Sequence, residues 1–159
     1  MSERKQPIRL RREAGRLVAG RDGDAEPVPV RVVCASPLRG LAGGVSILHA
    51  SKKEELAYVP ALADLDEASR AVAAEDLTRR YFFPKIRNVL HTRATFGVRY
   101  WDVQTDRGPR QFVMKSPETN TAWLSDDRCV LTDTLGNCYE IESLAALDRR
   151  SRKRVDLVL

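Results

Sequence analysis

The chain is sparing with the residues that enzymes and metal proteins concentrate at their sites. Cysteine occurs three times, at Cys34, Cys129 and Cys138, an odd count without C-x-x-C spacing. That argues against a disulfide framework and against a thiolate zinc site. Histidine occurs only as His49 and His91. No segment fits the phosphate-binding pattern G-x-x-x-x-G-K-[ST]. The stretch LRGLAGGVS holds Gly40, Gly43 and Gly44 with no helix pattern after it, and is expected to be a flexible loop between strands. The acidic residues are scattered, with no paired-carboxylate spacing suited to acid–base work. No apolar run approaches the roughly 18 residues that cross a bilayer. The start, MSERKQPIRLRR, is basic but lacks the apolar stretch of a secretory signal. The expectation is a cytoplasmic protein without membrane insertion, catalytic residues, metal or cofactor.

What the chain has instead is unevenly placed charge. Of its 159 residues, 31% are charged and 43% hydrophobic, a globular composition that suffices for one compact domain. Residues 1–16 carry six basic and two acidic side chains, and RRSRKR at 149–154 carries five basic and none acidic. With a net charge of +5 overall, the remainder is left at −4. A mildly acidic body with basic ends is suited to polyanions.

It also has a repeated phrase. LADLDEASR at 62–70 and LAALDRRSR at 144–152 agree at six of nine positions, 82 residues apart. The same offset sets Ile47 on Cys129, Leu56 on Cys138 and Val59 on Ile141, and an offset of 80 sets RVVCASP (31–37) on QFVMKSP (111–117). So ordered a series predicts a duplicated unit. The expected organisation is a basic arm at 1–14, a first unit at 15–78, a connecting strand segment at 79–98 and a second unit at 99–159. The expected fold class is β-rich α+β, each unit being two β-hairpins followed by a helix, with the units related by a pseudo-twofold axis. RYWDVQT alternates Trp101, Val103 and Thr105 on one face, DRGP turns the chain, and CVLTD and CYEIE flank TLGN, where Gly136 and Asn137 can take positive φ. GRLVAG, VPVRVVCA, VSILHA and ELAYV play those parts in the first unit, where Pro27, Pro29 and Pro37 confine the second strand to an edge or shorten it.

The phrase itself reads as structure. Asp66 and Asp148 stand where each helix should begin and can cap its free N–H groups, with Ser69 or Ser151 bonding back three residues later. No His or Lys lies nearby in sequence to activate either serine. The cysteines fall opposite apolar residues of the other unit, so all three are expected in the core.

Two basic surfaces remain as candidate binding sites. In the segment 79–97, alternation puts Lys85, Arg87, His91 and Arg93 on one side and Ile86, Leu90, Thr92 and Ala94 on the other. In the last helix, Leu147, Ser151, Val155 and Leu159 form an apolar seam flanked by Arg149, Arg150, Arg152, Lys153 and Arg154.

At TDRGPRQFVMK, LTDTLGNCYEIESLAALDRRSR and FFPKIRNV the chain resembles the domain-of-unknown-function 1854 family, which is also labelled cyanophycin metabolism-associated. W-x-V-x-T-D-R-G-P (101–109) and T-D-x-x-G-N-x-Y-E-I (132–141) carry the resemblance, which covers about residues 10–159. It implies a non-enzymatic accessory protein of cyanophycin metabolism, cyanophycin being a storage polymer of aspartate backbone and arginine branches. The partner would then be the polymer or an enzyme that metabolises it. Related domains attached to ATP-binding-cassette transporters imply an interaction module, and the alternative partner is RNA or another polyanion bound by the basic surfaces.

Overall fold

The computed structural model describes residues 7–21, 26–36 and 38–159. Strands β1 (Arg9–Glu13), β2 (Arg16–Gly20), β3 (Val28–Ser36), β4 (Gly40–His49) and β5 (Glu55–Val59) form one antiparallel sheet in chain order. A 3-10 turn, Leu62–Asp64, leads to helix α1 (Glu67–Tyr81). Strands β6 (Ile86–Thr95), β7 (Val98–Thr105) and β8 (Gly108–Met114) form a second sheet. A short helix α2 (Pro117–Asn120) precedes β9 (Thr121–Trp123), β10 (Cys129–Thr132) and β11 (Cys138–Ile141), which pair in the order β11-β10-β9, and helix α3 (Arg149–Asp156) follows. Among the described residues the fold is β-rich, with three sheets and three helices.

Several segments differ from the sequence reading. Residues 1–6 of the expected basic arm lie outside the described residues, but the rest of that arm contains β1. Leu10 points into the core while Arg9 and Arg11 face solvent, so arginines mask an alternating strand. β3 is not simply an edge. Pro29 and Val28 pair with Val18 and Ala19 of β2, and only beyond them does the β2 side of β3 lose its strand partner; Pro37 lies outside the described residues. The glycine stretch 40–44 is the start of β4, not a flexible loop. Gly40 (φ +52) is a close-approach glycine: a Cβ there would lie 2.6 Å from Cys138 Sγ and 2.9 Å from the Gly136 carbonyl. In the TLGN turn Gly136 has the positive φ expected of it and Asn137 does not.

The packing forms two hydrophobic clusters. One gathers Val32, Val45, Ile47, Ala73 and Leu77 from the first half of the chain; the other gathers Trp101, Phe112, Met114, Ile141 and Val155 from the second. Aromatic rings stack through the latter, Trp101 on Phe112 at 5.9 Å and Phe112 on Tyr139 at 4.2 Å. β10 joins the two. All four of its residues are buried, with Val130 in the first cluster and Cys129 and Leu131 in the second.

The helices complete sheet edges. Asp66 and Asp148 cap α1 and α3 with the same backbone geometry, φ −62° and ψ 159°, and accept from the amides of Ser69 (3.1 Å) and Ser151 (3.2 Å). Each serine hydroxyl then takes the amide of an edge strand: Leu10 N–H donates to Ser69 Oγ at 2.8 Å, and Val89 N–H donates to Ser151 Oγ at 2.8 Å. Further along α1, Asp76 accepts from Val32 N–H (2.9 Å) and the Tyr81 hydroxyl from Cys34 N–H (2.8 Å), so the unpaired half of β3 is also covered. Both serines are fully buried. Removing either hydroxyl leaves a buried strand amide without a partner, which costs about 1–3 kcal/mol. Ser69→Ala and Ser151→Ala are each expected to lower unfolding stability by about that amount in urea titration, although alanine is the better helix former. Unchanged stability in both variants would remove the structural account of the repeated phrase.

Candidate functional site

α3 is a short, strongly basic helix. Ser151 and Val155 point into the core, with Leu147 and Leu159 packed beside them. At 100° per residue, Arg149, Arg150 and Lys153 fall within about 100° of arc on the opposite side. All three are exposed, and among the described residues none has an ion-pair or hydrogen-bond partner for its side chain. The remaining two cations are engaged: Arg152 pairs with Asp156 at 2.9 Å, and Arg154 donates to the Val89 carbonyl of β6 at 2.8 Å. The nearest acid in sequence, Asp148, is held by the cap and by Asn88, which donates to it at 3.0 Å.

The expected β6 stripe is broken. Register shifts fall between Ile86 and Asn88 and between Val89 and His91, making Arg87 and Leu90 the extra residues of two bulges. Leu90 is therefore half exposed, although alternation assigns it to the face of Ile86. Lys85 and Arg87 converge on Glu142, at 2.6 Å and 3.3 Å, and the Lys85 hydrogen bond leads the effects that hold the Glu142 carboxyl below its usual range. Two cations thus share one carboxylate 55 residues from Arg87, a pairing no local pattern reveals. Arg93 lies six residues further along β6, about 20 Å for an extended strand, where its guanidinium sits 5.4 Å from the Tyr100 ring. Beside it, Phe96 at the hairpin tip is fully exposed. Of the eight predicted residues, then, Arg149, Arg150 and Lys153 form one open cationic face, and Arg93 stands apart in an aromatic setting.

Of the cysteines, Cys129 is in the core as expected, and burial pushes its thiol up to about 12. Cys34 and Cys138 are half-buried and line a cleft with Tyr81, Phe82, Arg107 and Arg110. No local sequence pattern marks this cleft, because its arginines stand singly in the β7–β8 hairpin and its aromatics in a connecting segment. Among the described residues, no group of three His, Cys, Asp or Glu side chains could hold a metal ion, and no helix is long and apolar enough to cross a membrane.

Residues 28–158 match the model of a family described as Domain of unknown function (DUF1854). The chain belongs to that family. No curated protein matches the chain, and no solved structure does. The DUF1854 match begins at β3, so β1 and β2 precede it and α3 lies within it.

The head of α3 supplies a pH test. The Ser151 hydroxyl and amide hold the Asp148 carboxyl down to about 2, from an ordinary value of 3.8. A depressed carboxyl contributes its stability in full above the ordinary value and loses it as pH falls toward the folded one. The difference in melting temperature between wild type and Asp148→Asn should be constant above pH 5 and shrink between about pH 4 and pH 2. A difference independent of pH across that window would show that the cap carries no charge-dependent stability.

Proposed function

We propose that this DUF1854 domain is a non-enzymatic binding module that docks anionic partners on the outer face of α3. The observation that carries the reading is the placement of Arg149 and Arg150. Both lie in the first turn of a helix, where the macrodipole disfavours cations by a few tenths of a kcal/mol or more, and the first turn holds no acidic residue to offset them. Lys153 adds a third charge on the same side. A local rule broken on an exposed surface, with the Asp148 cap as the one acid at that helix end, is characteristic of sites kept for function. The family resemblance supports cyanophycin metabolism as the setting, with carboxylates of the polymer or of an enzyme that handles it as the anions. The domain itself performs no chemistry: the purified protein is expected to release neither β-aspartyl-arginine nor free amino acids from cyanophycin.

RNA is the second reading. What favours it is the end of the β6–β7 hairpin, where exposed Phe96 and the Arg93–Tyr100 pair combine cation and ring as single-strand binders do. The test is a triple variant, Arg149→Gln, Arg150→Gln and Lys153→Gln, which spares the Arg154 bond to β6. Binding to cyanophycin and to single-stranded RNA is measured over a salt series. Loss of polymer capture supports the first reading. Loss of RNA binding, with the slope of log affinity against log salt reduced by about 2, supports the second, since each phosphate contact contributes roughly 0.7. Unchanged binding to both removes the α3 face as a site.

We further infer that the chain is an internal duplication whose units begin earlier than the sequence suggests, at β1 and β6. The equal cap geometry supports this, as do hairpin turns of matching φ 82 residues apart, Ala14–Gly15 (50°, 79°) and Phe96–Gly97 (46°, 79°). An experimental structure in which residues 47–77 fail to superpose on 129–159 would overturn it.

A further inference from the structure

A cleft of about 670 Å³ opens where the two halves of the chain meet, well away from the α3 cluster in sequence and in its lining. That volume is within the range of small-molecule sites. Its lining includes two arginines, Arg107 and Arg110, and no aspartate or glutamate. Neither guanidinium makes a salt bridge among the described residues. Arg107 donates to the Phe82 carbonyl, and Arg110 to the carbonyl of its own neighbour Pro109 at 2.9 Å. The carboxylate of the adjoining Asp106 accepts from the Lys85 amide at 2.8 Å, and that bond first, with Arg107 among the nearby cations, holds it below its ordinary range. Two arginines without a salt bridge therefore flank a partly apolar concavity, Arg107 on its exposed rim and Arg110 half-buried.

The other wall is aromatic and its backbone is unusual. Tyr81 and Phe83 stack nearly parallel, 6° apart at 5.6 Å. Between them Phe82 ends α1 in the left-handed region, φ 49° and ψ 51°, a conformation that bulky residues rarely adopt. Phe82 lines the cleft yet is 67% exposed. Glycine is the usual residue at such a helix end. A phenylalanine held there against its preference, by an arginine that itself lines the cleft, presents a bare ring beside two arginines that make no salt bridge among the described residues. Strain of this kind gathers at ligand sites.

We propose that this cleft binds a small organic anion that carries a planar ring, with the ring on Phe82 and the anionic group on Arg110 and Arg107. Cys34 and Cys138 serve as wall, because burial pushes both thiols up and keeps them neutral.

The test uses calorimetric titration with three ring-bearing anions: adenosine monophosphate, indole acetate and anilinonaphthalene sulfonate. Adenosine and inorganic phosphate serve as the ring-only and anion-only controls. At least one of the three should bind saturably, and more tightly than either control. Arg110→Gln should weaken that binding about tenfold, the worth of a hydrogen bond to a charged group. Phe82→Gly should weaken it as well while the melting temperature holds or rises, since glycine relieves the left-handed strain. The α3 triple variant should bind as wild type does. The proposal is overturned if none of the three saturates by millimolar concentration, if adenosine binds as tightly as its monophosphate where that is the ligand bound, or if neither Arg110→Gln nor Phe82→Gly alters the affinity.

Discussion

Burial of β10 on both faces is the constraint on which the rest of the molecule depends. In Cys129–Thr132 successive side chains enter different cores, Val130 with the first-half residues and Cys129 and Leu131 with the second. β10 is also paired on both sides, to β9 and to β11. A slip of one residue would exchange the two faces at once, so the register of this four-residue strand is strongly specified. Phe83 and Leu124 reinforce the coupling, because both follow α1 in the chain but pack in the first cluster. The two clusters therefore share a buried strand. The glycine contact between Gly40 and the 136–138 turn is a second consequence, since only a backbone without Cβ can approach so closely.

Once the strands are fixed, the helices complete their edges. α1 is long enough, at 15 residues, to reach two of them, taking the Leu10 amide with Ser69 in its first turn and the Val32 and Cys34 amides with Asp76 and Tyr81 near its end. α3, with eight residues, reaches only β6, through Ser151 and Arg154. The repeated Leu-Asp-x-x-Ser-Arg phrase has its physical reason here. Leu62 and Leu144 are buried ahead of each helix, the aspartate caps it, and the serine spans from helix to strand. The arginines diverge, Arg70 bonding the Leu124 carbonyl and Arg152 its own helix, as expected for residues outside the shared framework.

What was legible in the sequence follows from range. Period-two strands such as RYWDVQT and CYEIE, and caps spaced Asp-x-x-Ser, are local signals, and the structure has strands and capped helices there. What was not legible depends on partners far away. The bulges that expose Leu90 and re-aim Arg87 arise from pairing with β7. The neutralisation of Lys85 and Arg87 depends on Glu142, which follows β11 of a different sheet. β1 was hidden because arginine on the solvent side of an edge strand reads as a basic tail, although Ile8 and Leu10 keep the inward phase. Only the first half of β4 was hidden, because its glycines serve close packing rather than freedom. The candidate site divides in the same way. The α3 cluster is contiguous in sequence and was visible, whereas a cleft built from Tyr81, Phe82, Arg107 and Arg110 exists only once the halves are packed.

The charge on α3 bears on its stability as well as on its proposed role. Only Ser151 and Val155 of the helix are fully buried, so apolar packing anchors it weakly for its length. Its position rests on the Asp148 cap, on the hydrogen bonds that Ser151 and Arg154 make with the Val89 peptide group and on the flanking contacts of Leu147 and Leu159. Against these stand five like charges, of which only Arg152 has a carboxylate partner and two oppose the helix dipole. Any anion that binds the outer face relieves that repulsion and so favours the docked helix over a frayed one, since a ligand stabilises the state it binds. Because Arg154 and Ser151 hold the edge of β6, ordering α3 also fixes the strand that carries Arg87 and Arg93. Were the outer face of the helix occupied as proposed, order at the helix and at the sheet edge would be linked through the Val89 peptide group.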